Sequence, residues 1–103
     1  MTRKHLAILL ATDGDLGRAV RLARAARARG VEVSLFAMDD GVAALAREPA
    51  TVGALLDDDC EVIACALSAH LRGLGEAEVG VLLGSQDDHA AFVHRADRLV
   101  AFA

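Results

Sequence analysis

The side chains in this 103-residue chain that could do chemistry are its cysteines, its histidines and the carboxylates at the ends of apolar runs. Cys65 stands out. It closes the run Cys60-Glu-Val-Ile-Ala-Cys65 and directly precedes a segment, Ala66 to Leu74, that reads as a helix ending at Gly73 or Gly75. At such a junction the unpaired N–H groups and the helix dipole favour the thiolate, which is the nucleophilic form. A working Cys65 would be partly exposed and have a depressed pKa; the alternative is an apolar cysteine packed in the core. Cys60 is different. It lies five residues earlier, roughly 16 Å away along an extended strand, whereas bonded cysteines keep their Cα atoms within about 7 Å. C-x₄-C is also not the C-x-x-C redox motif, so Cys60 is expected to be a structural core residue.

The residues after Cys65 are the next candidates. Ser68, His70 and Arg72 share its helix. Arg72 offers a cation for a thiolate or persulfide, or equally a complement to the C-terminal end of the helix. His70 offers a base, or a ring that merely faces solvent. His89 and His94 are five apart, neither i+3 nor i+4, and so do not make a one-face metal pair. No Cys/His cluster has metal-ligand spacing, and no Ser-His-Asp arrangement can be assigned.

Alternating strands and helices must position these groups. His5 to Ala11 is a continuous apolar run, the pattern of a parallel strand covered on both faces. Thr12-Asp-Gly-Asp15 breaks it and supplies capping side chains for a helix from Leu16 to Arg29, which Gly30 stops. Val31 to Met38 reads as the second strand. Short helices are predicted at Val42 to Arg47, closed by Glu48-Pro49, and at Thr51 to Leu56. Asp57-Asp-Asp59 is a polar turn. Cys60 to Cys65 is the third strand, Val79 to Leu83 the fourth and Arg98 to Phe102 the fifth. Between the last two, Gln86 to Ala96 is helical, with Ser85 as N-cap. This order specifies a three-layer α/β/α sandwich around a five-stranded parallel sheet, in one domain spanning residues 1–103. The 22 alanines let helices lie close on that sheet.

In such sheets ligands bind beyond the carboxyl ends of the strands, here Thr12/Asp13, Met38/Asp39/Asp40, Cys65 and Gly84/Ser85/Gln86. There is no G-x-G-x-x-G after the first strand, only Gly14-x-x-Gly17, and no G-K-[ST]. A response-regulator pocket would need an aspartate ending the third strand and a lysine ending the fifth, where Cys65 and Phe102 stand. Formal net charge is −4, pI is near 5.4, Trp and Tyr are absent, and all but one of the 11 basic side chains are arginine. Five of those arginines, at 18, 21, 24, 27 and 29, fall on the first helix and read as a solvated face. Direct nucleic-acid binding is not expected. The longest apolar runs are far short of the roughly 20 residues that span a bilayer, no secretory signal is visible, and two cysteines do not make a disulfide scaffold. These features predict a cytoplasmic domain with no membrane partner.

The segment Val62-Ile-Ala-Cys65-Ala-Leu-Ser-Ala-His-Leu-Arg72-Gly73-Leu resembles the cysteine segment of the DsrE/DsrF-like family, which includes a sulfur-accepting subunit of the bacterial tRNA 2-thiouridine relay. In that family a strand ends in cysteine, a helix start rich in small residues follows, and Arg-Gly stands seven and eight positions on, as Arg72-Gly73 does here. Arg29-Gly30-Val-Glu-Val, Leu35-Phe36, Asp40-Gly41-Val42 and the closing Ala96-Asp97-Arg98-Leu-Val-Ala-Phe102 follow the family's order too. The resemblance implies a DsrE-like fold and a sulfur carrier or sulfurtransferase subunit. Cys65 would hold a transient persulfide, with Arg72, Gly73 and Ser68 supporting it and no metal or organic cofactor. It also implies sulfur donor and acceptor proteins as partners, and a homo- or hetero-oligomer, trimeric or hexameric. The chain departs from relay subunits in being shorter between the second and third strands, and in a first loop without Gly-Pro-hydrophobe character.

Two other functions compete with the carrier. One is a non-catalytic DsrE-like binding or assembly subunit in which Cys65 is inert. The other is a small-molecule or nucleotide module, supported only by Asp13, Asp15, Asp39 and Asp40, whose sign is wrong for phosphate unless a cation bridges them.

Overall fold

The computed structural model describes residues 3–103. Its strands are β1 (His5–Leu10), β2 (Glu32–Ala37), β3 (Glu61–Cys65), β4 (Leu82–Gly84) and β5 (Arg98–Phe102). All pair in parallel, in the order β4-β3-β2-β1-β5. The connections carry α1 (Leu16–Ala28), α2 (Asp40–Arg47), α3 (Pro49–Asp57), α4 (Ala66–Leu71), α5 (Glu76–Val79) and α6 (Gln86–Arg95). Right-handed crossovers that step one way across a sheet lie over one face, and those that step back lie over the other. The three steps from β1 to β4 therefore put α1 to α5 on one side. The return from β4 to β5 puts α6 alone on the second.

Side-chain alternation along each strand builds two unequal cores. Leu6, Ile8 and Leu10 of β1, with Val33, Leu35 and Ala37 of β2, pack under the larger helical layer. Ala19 and Ala23 of α1 are fully buried there, and their small side chains bring that helix close to the sheet. On the other face Ala7, Phe36, Ile63 and Cys65 meet Phe92 of α6. A ten-residue helix does not cover five strands. Leu82 and Leu99, toward the two edges, stay 59% and 46% exposed.

A polar cluster fixes how α6 lies. Ser34, buried in β2, donates to Glu61 Oε1 at 3.2 Å. That uses its one hydroxyl hydrogen, so His5 Nε2, 2.8 Å away, is the donor to Ser34 Oγ. Arg95, the last residue of α6, donates to both Glu61 (2.8 Å) and Ser34 (3.3 Å). The C-terminal end of α6 is thereby pinned at the amino end of the sheet, and its N-terminus is carried to the carboxyl end, beside Cys65.

The elements fall in the expected order, and their differences have local causes. Glu76–Val79 is a one-turn helix, not the start of a strand: Glu78 accepts the Gly75 N–H at 3.1 Å, and Gly80 ends the turn at φ 84°. The fourth strand shrinks to Leu82–Gly84, while Val79 packs into the larger core. Pro49 starts α3 two residues before the predicted Thr51, because its fixed φ suits the first helical position. Asp15 does not cap α1 with its side chain; its carboxylate instead accepts from Thr12 Oγ1 (2.6 Å) and Arg18 (2.9 Å). Ser85 does cap α6, accepting the Asp87 N–H at 3.2 Å while Asp88 accepts the Ser85 N–H at 2.8 Å. Helix α4 stops at Leu71: Gly73 takes φ 68°, and the Leu74 N–H returns to the Ala69 carbonyl at 2.9 Å in a Schellman closure.

The helix start α2 sits directly on the end of β1. Met38 N–H donates to the Leu10 carbonyl at 2.9 Å, and a Cβ at Gly41 would collide with that same carbonyl. Gly53, inside α3, has nothing within 4 Å of a built Cβ. Chemical denaturation should show Gly41→Ala destabilising the protein by about 1–3 kcal/mol. Gly53→Ala should stabilise it by up to about 1 kcal/mol. Equal effects from the two substitutions would contradict this packing.

Candidate functional site

Cys65 is both the last residue of β3 and the N-cap of α4, with φ −65° and ψ 120°. Its side chain points to the α6 face of the sheet, and its sulfur accepts the Ser68 N–H at 3.5 Å. Ser68 is buried, and its Oγ accepts the Asp39 N–H at 2.9 Å, which leaves the hydroxyl hydrogen free for the cysteine sulfur. Asp39 presents that N–H from an uncommon backbone conformation, φ 49° and ψ −133°. Strain of this kind typically costs about 1–3 kcal/mol and persists where surrounding structure imposes it.

Burial pushes the Cys65 thiol pKa up. The Ser68 hydroxyl, the Ser68 and Leu67 N–H groups and the Gln86 amide together outweigh burial, and the net shift is downward. Hydrogen-bond donors do this without a cation. Arg72 points elsewhere: one nitrogen donates to the Ser68 carbonyl at 3.1 Å, another to Asp40 at 2.9 Å. It holds α4 against the start of α2 and touches the site through Ser68. Gly73 forms the left-handed turn that ends the same helix.

A cavity of about 500 Å³ opens in front of the thiol. Met38 and Asp39 line it from the end of β2, Cys65 to Ser68 and Leu71 from the start of α4, and Gly84 to Gln86 from the end of β4. Three of the four strand ends singled out by sequence thus converge. Thr12 does not join them, and Asp13 lies in a separate depression with Arg47 and Thr51. The order β4-β3-β2 decides this, since those three carboxyl ends are neighbours. In exposure the thiol departs from the expectation for a working cysteine: the residue is 6% exposed. Its sulfur is drawn in toward the amides of α4, with only the cavity side left open.

Cys60, just before β3, is also buried. Burial and the Asp58 charge raise its pKa, only partly offset by Arg27, so the two thiols shift in opposite directions. No histidine lines the cavity. His70 and His94 are exposed, and His89 lies against Phe36 with ring centroids 5.2 Å apart and its Nδ1 buried without a partner. Among the described residues no group of three or more His, Cys, Asp or Glu side chains is placed to hold a metal ion. Sequence reasoning missed the side-chain roles of Gln86, Met38, Leu67 and Leu71. The position of Gln86 just beyond a strand end was the available signal.

The profile of the DsrE/DsrF-like family matches residues 4–102, nearly the whole chain. The protein belongs to the DsrE/DsrF-like family. No curated protein matches it. The all-parallel five-stranded sheet with helices on both sides is the fold such a member should have. Membership points to a role related to sulfur relay, and the DsrE-like cysteine segment, Cys65 to Gly73, is the one that forms the cavity wall and closes α4. Among the described residues no helix is long and apolar enough to cross a membrane.

The opposite shifts of the two thiols can be read directly. Alkylation of the folded protein followed against pH should modify Cys65 with a midpoint below that of an ordinary thiol, and Cys60 above it. Ser68→Ala should raise the Cys65 midpoint by removing the hydroxyl donor. A midpoint for Cys65 at or above that of a free thiol would contradict the geometry.

Proposed function

We propose that this DsrE/DsrF-like protein is a sulfur carrier that accepts a persulfide sulfur on Cys65 and passes it to a second protein. The observation that carries this reading is the placement of the Cys65 thiol, which caps α4, accepts the Ser68 N–H at 3.5 Å and opens only into a cavity. In the first step the Cys65 thiolate attacks the outer sulfur of a donor persulfide. A new S–S bond forms at Cys65, the donor's S–S bond breaks, and the donor cysteine leaves as a thiolate with the bonding electron pair. The transferred sulfur keeps its proton or loses it to solvent. In the second step an acceptor thiolate attacks the same outer sulfur and Cys65 leaves as a thiolate. No external oxidant or reductant enters, and the donors around Cys65 serve twice, favouring it as nucleophile and as leaving group.

The 6% exposure of Cys65 is compatible with transfer because the outer sulfur stands about 2 Å beyond Sγ. That extra atom has the cavity to occupy. Ser68 donates to the sulfur directly, Arg72 steadies Ser68 through its carbonyl, and Gly73 fixes the end of the helix. Partners are a sulfur donor protein and a sulfur acceptor protein. Leu67 and Leu71, 65% and 71% exposed, border the cavity mouth and give such partners an apolar footing.

The low exposure of Cys65 also favours a second reading, an assembly subunit with an inert cysteine. Intact mass after incubation with a cysteine desulfurase and cysteine separates the two. The carrier gains one sulfur, roughly 32 Da, in the native protein and in Cys60→Ser but not in Cys65→Ser. No gain in any form, with Cys65 unreactive in the folded protein, selects the assembly subunit.

Subunits are expected to associate through the thinly covered α6 face, where Leu82 and Leu99 remain exposed. Light scattering should give a trimer or hexamer for the native protein and a smaller species for Leu82→Asp/Leu99→Asp. A native monomer would remove this part of the reading.

A further inference from the structure

Gln86 enters the cavity from the side opposite α4. It is the exposed first residue of α6, and its Nε2 stands 3.9 Å from Met38 Sδ, a long contact for a sulfur acceptor. Gln86 lines the cavity together with Met38 and Cys65, so its amide shares that space with two soft sulfur atoms. The groups of α4 that favour the Cys65 thiolate are the Leu67 and Ser68 N–H groups and the Ser68 hydroxyl. The Ser68 N–H lies 3.5 Å from Sγ, on the α4 side of the cavity. A sulfur atom added to Sγ has the cavity as its free space and moves away from that side, toward the α6 wall.

Few of the remaining lining groups suit that atom. Met38, Ala66, Leu67 and Leu71 have no side-chain donor, and Asp39 brings a carboxylate. Ser85 Oγ accepts the Asp87 N–H in the cap of α6, which keeps its short side chain at the helix start, whereas the longer Gln86 side chain can swing. No lining residue is cationic. We propose that the Gln86 side-chain amide, swung from Met38, donates a hydrogen bond to the outer sulfur of the Cys65 persulfide and holds it at the cavity mouth for the acceptor. This rests on the carrier reading of Cys65. The amide stabilises the persulfide anion without adding a fixed charge. Because Gln86 is exposed and the cap of α6 is made by Ser85 and Asp88, replacing it leaves the fold intact.

The test uses the native protein, Gln86→Leu and Gln86→Glu, each incubated with a cysteine desulfurase and cysteine. Intact mass reads the loading, and alkylation rate against pH reads the ionisation midpoint of both the loaded persulfide and the resting thiol. Gln86→Leu should still gain one sulfur, and its persulfide midpoint should rise by about one pH unit. It should move the resting thiol less, since that thiol keeps its three α4 donors. Gln86→Glu should raise the persulfide midpoint further, because a carboxylate replaces a donor. A native persulfide midpoint in loaded Gln86→Leu, or equal shifts of persulfide and thiol, overturns the role of Gln86 while leaving the carrier intact. A native protein that gains no sulfur overturns the carrier reading and this inference with it.

Discussion

Parallel strands must be joined by crossovers, and the right hand of those crossovers organises this molecule. Stepping from β1 through β2 and β3 to β4 stacks α1 to α5 on one face. The single return to β5 leaves α6 alone on the other. The same order sets the carboxyl ends of β2, β3 and β4 side by side, and the cavity is what lies between them. It also places Cys65, as an odd member of the alternation along β3, on the thin side of the sheet. There it packs in the cluster that holds Phe92 of α6 and shares a cavity with the start of that helix, rather than lying under a full layer of helices.

The environment of the thiol follows from where the backbone turns. Because β3 passes into α4 without a loop residue, Cys65 becomes its own helix cap, and the first free amides of α4 face its sulfur. Ser68 links this arrangement to the end of β2 through the Asp39 N–H, and Arg72 links it to Asp40. The left-handed backbone at Asp39 is the strained element of this linkage, held by the collision-free fit of Gly41 against β1. The arginine nearest in sequence, Arg72, is thus a brace between helices. Neutral donors set the chemistry of the sulfur, which keeps it able both to attack and to leave.

The two faces divide the roles of the fold. The larger layer supplies most of the buried apolar surface, with Leu, Val and Ala from every helix except α6. The α6 face carries less core and all of the side chains that meet the sulfur from outside α4. At its far end the Ser34, Glu61, His5 and Arg95 cluster fixes the tilt of α6, and so the position of Gln86 at its near end, a helix length away. Residues with no contact to the thiol therefore still determine which groups surround it.

Much of this was legible from residue order. Continuous apolar runs such as Leu6 to Leu10, the Gly30 and Gly73 stops, the Ser85 cap and the position of Cys65 between strand and helix all express local rules, since each depends on neighbours within a few residues. That Cys60 opens the third strand and Cys65 closes it, too far apart to bond, was legible too, from their spacing. Other features depend on partners far along the chain. Val79 looks like a strand residue until Gly75, Glu78 and Gly80 close a helical turn around it and the larger core receives it. Arg72 looks like a partner for a thiolate until Asp40, distant in sequence, takes its guanidinium. Gln86 looks like an ordinary surface residue until strand order brings it to Cys65. Sequence determined which elements form, because hydrogen bonding and burial patterns are local. Tertiary structure alone decided which strand ends meet and which donors reach the sulfur, because those contacts exist only once the sheet has its order.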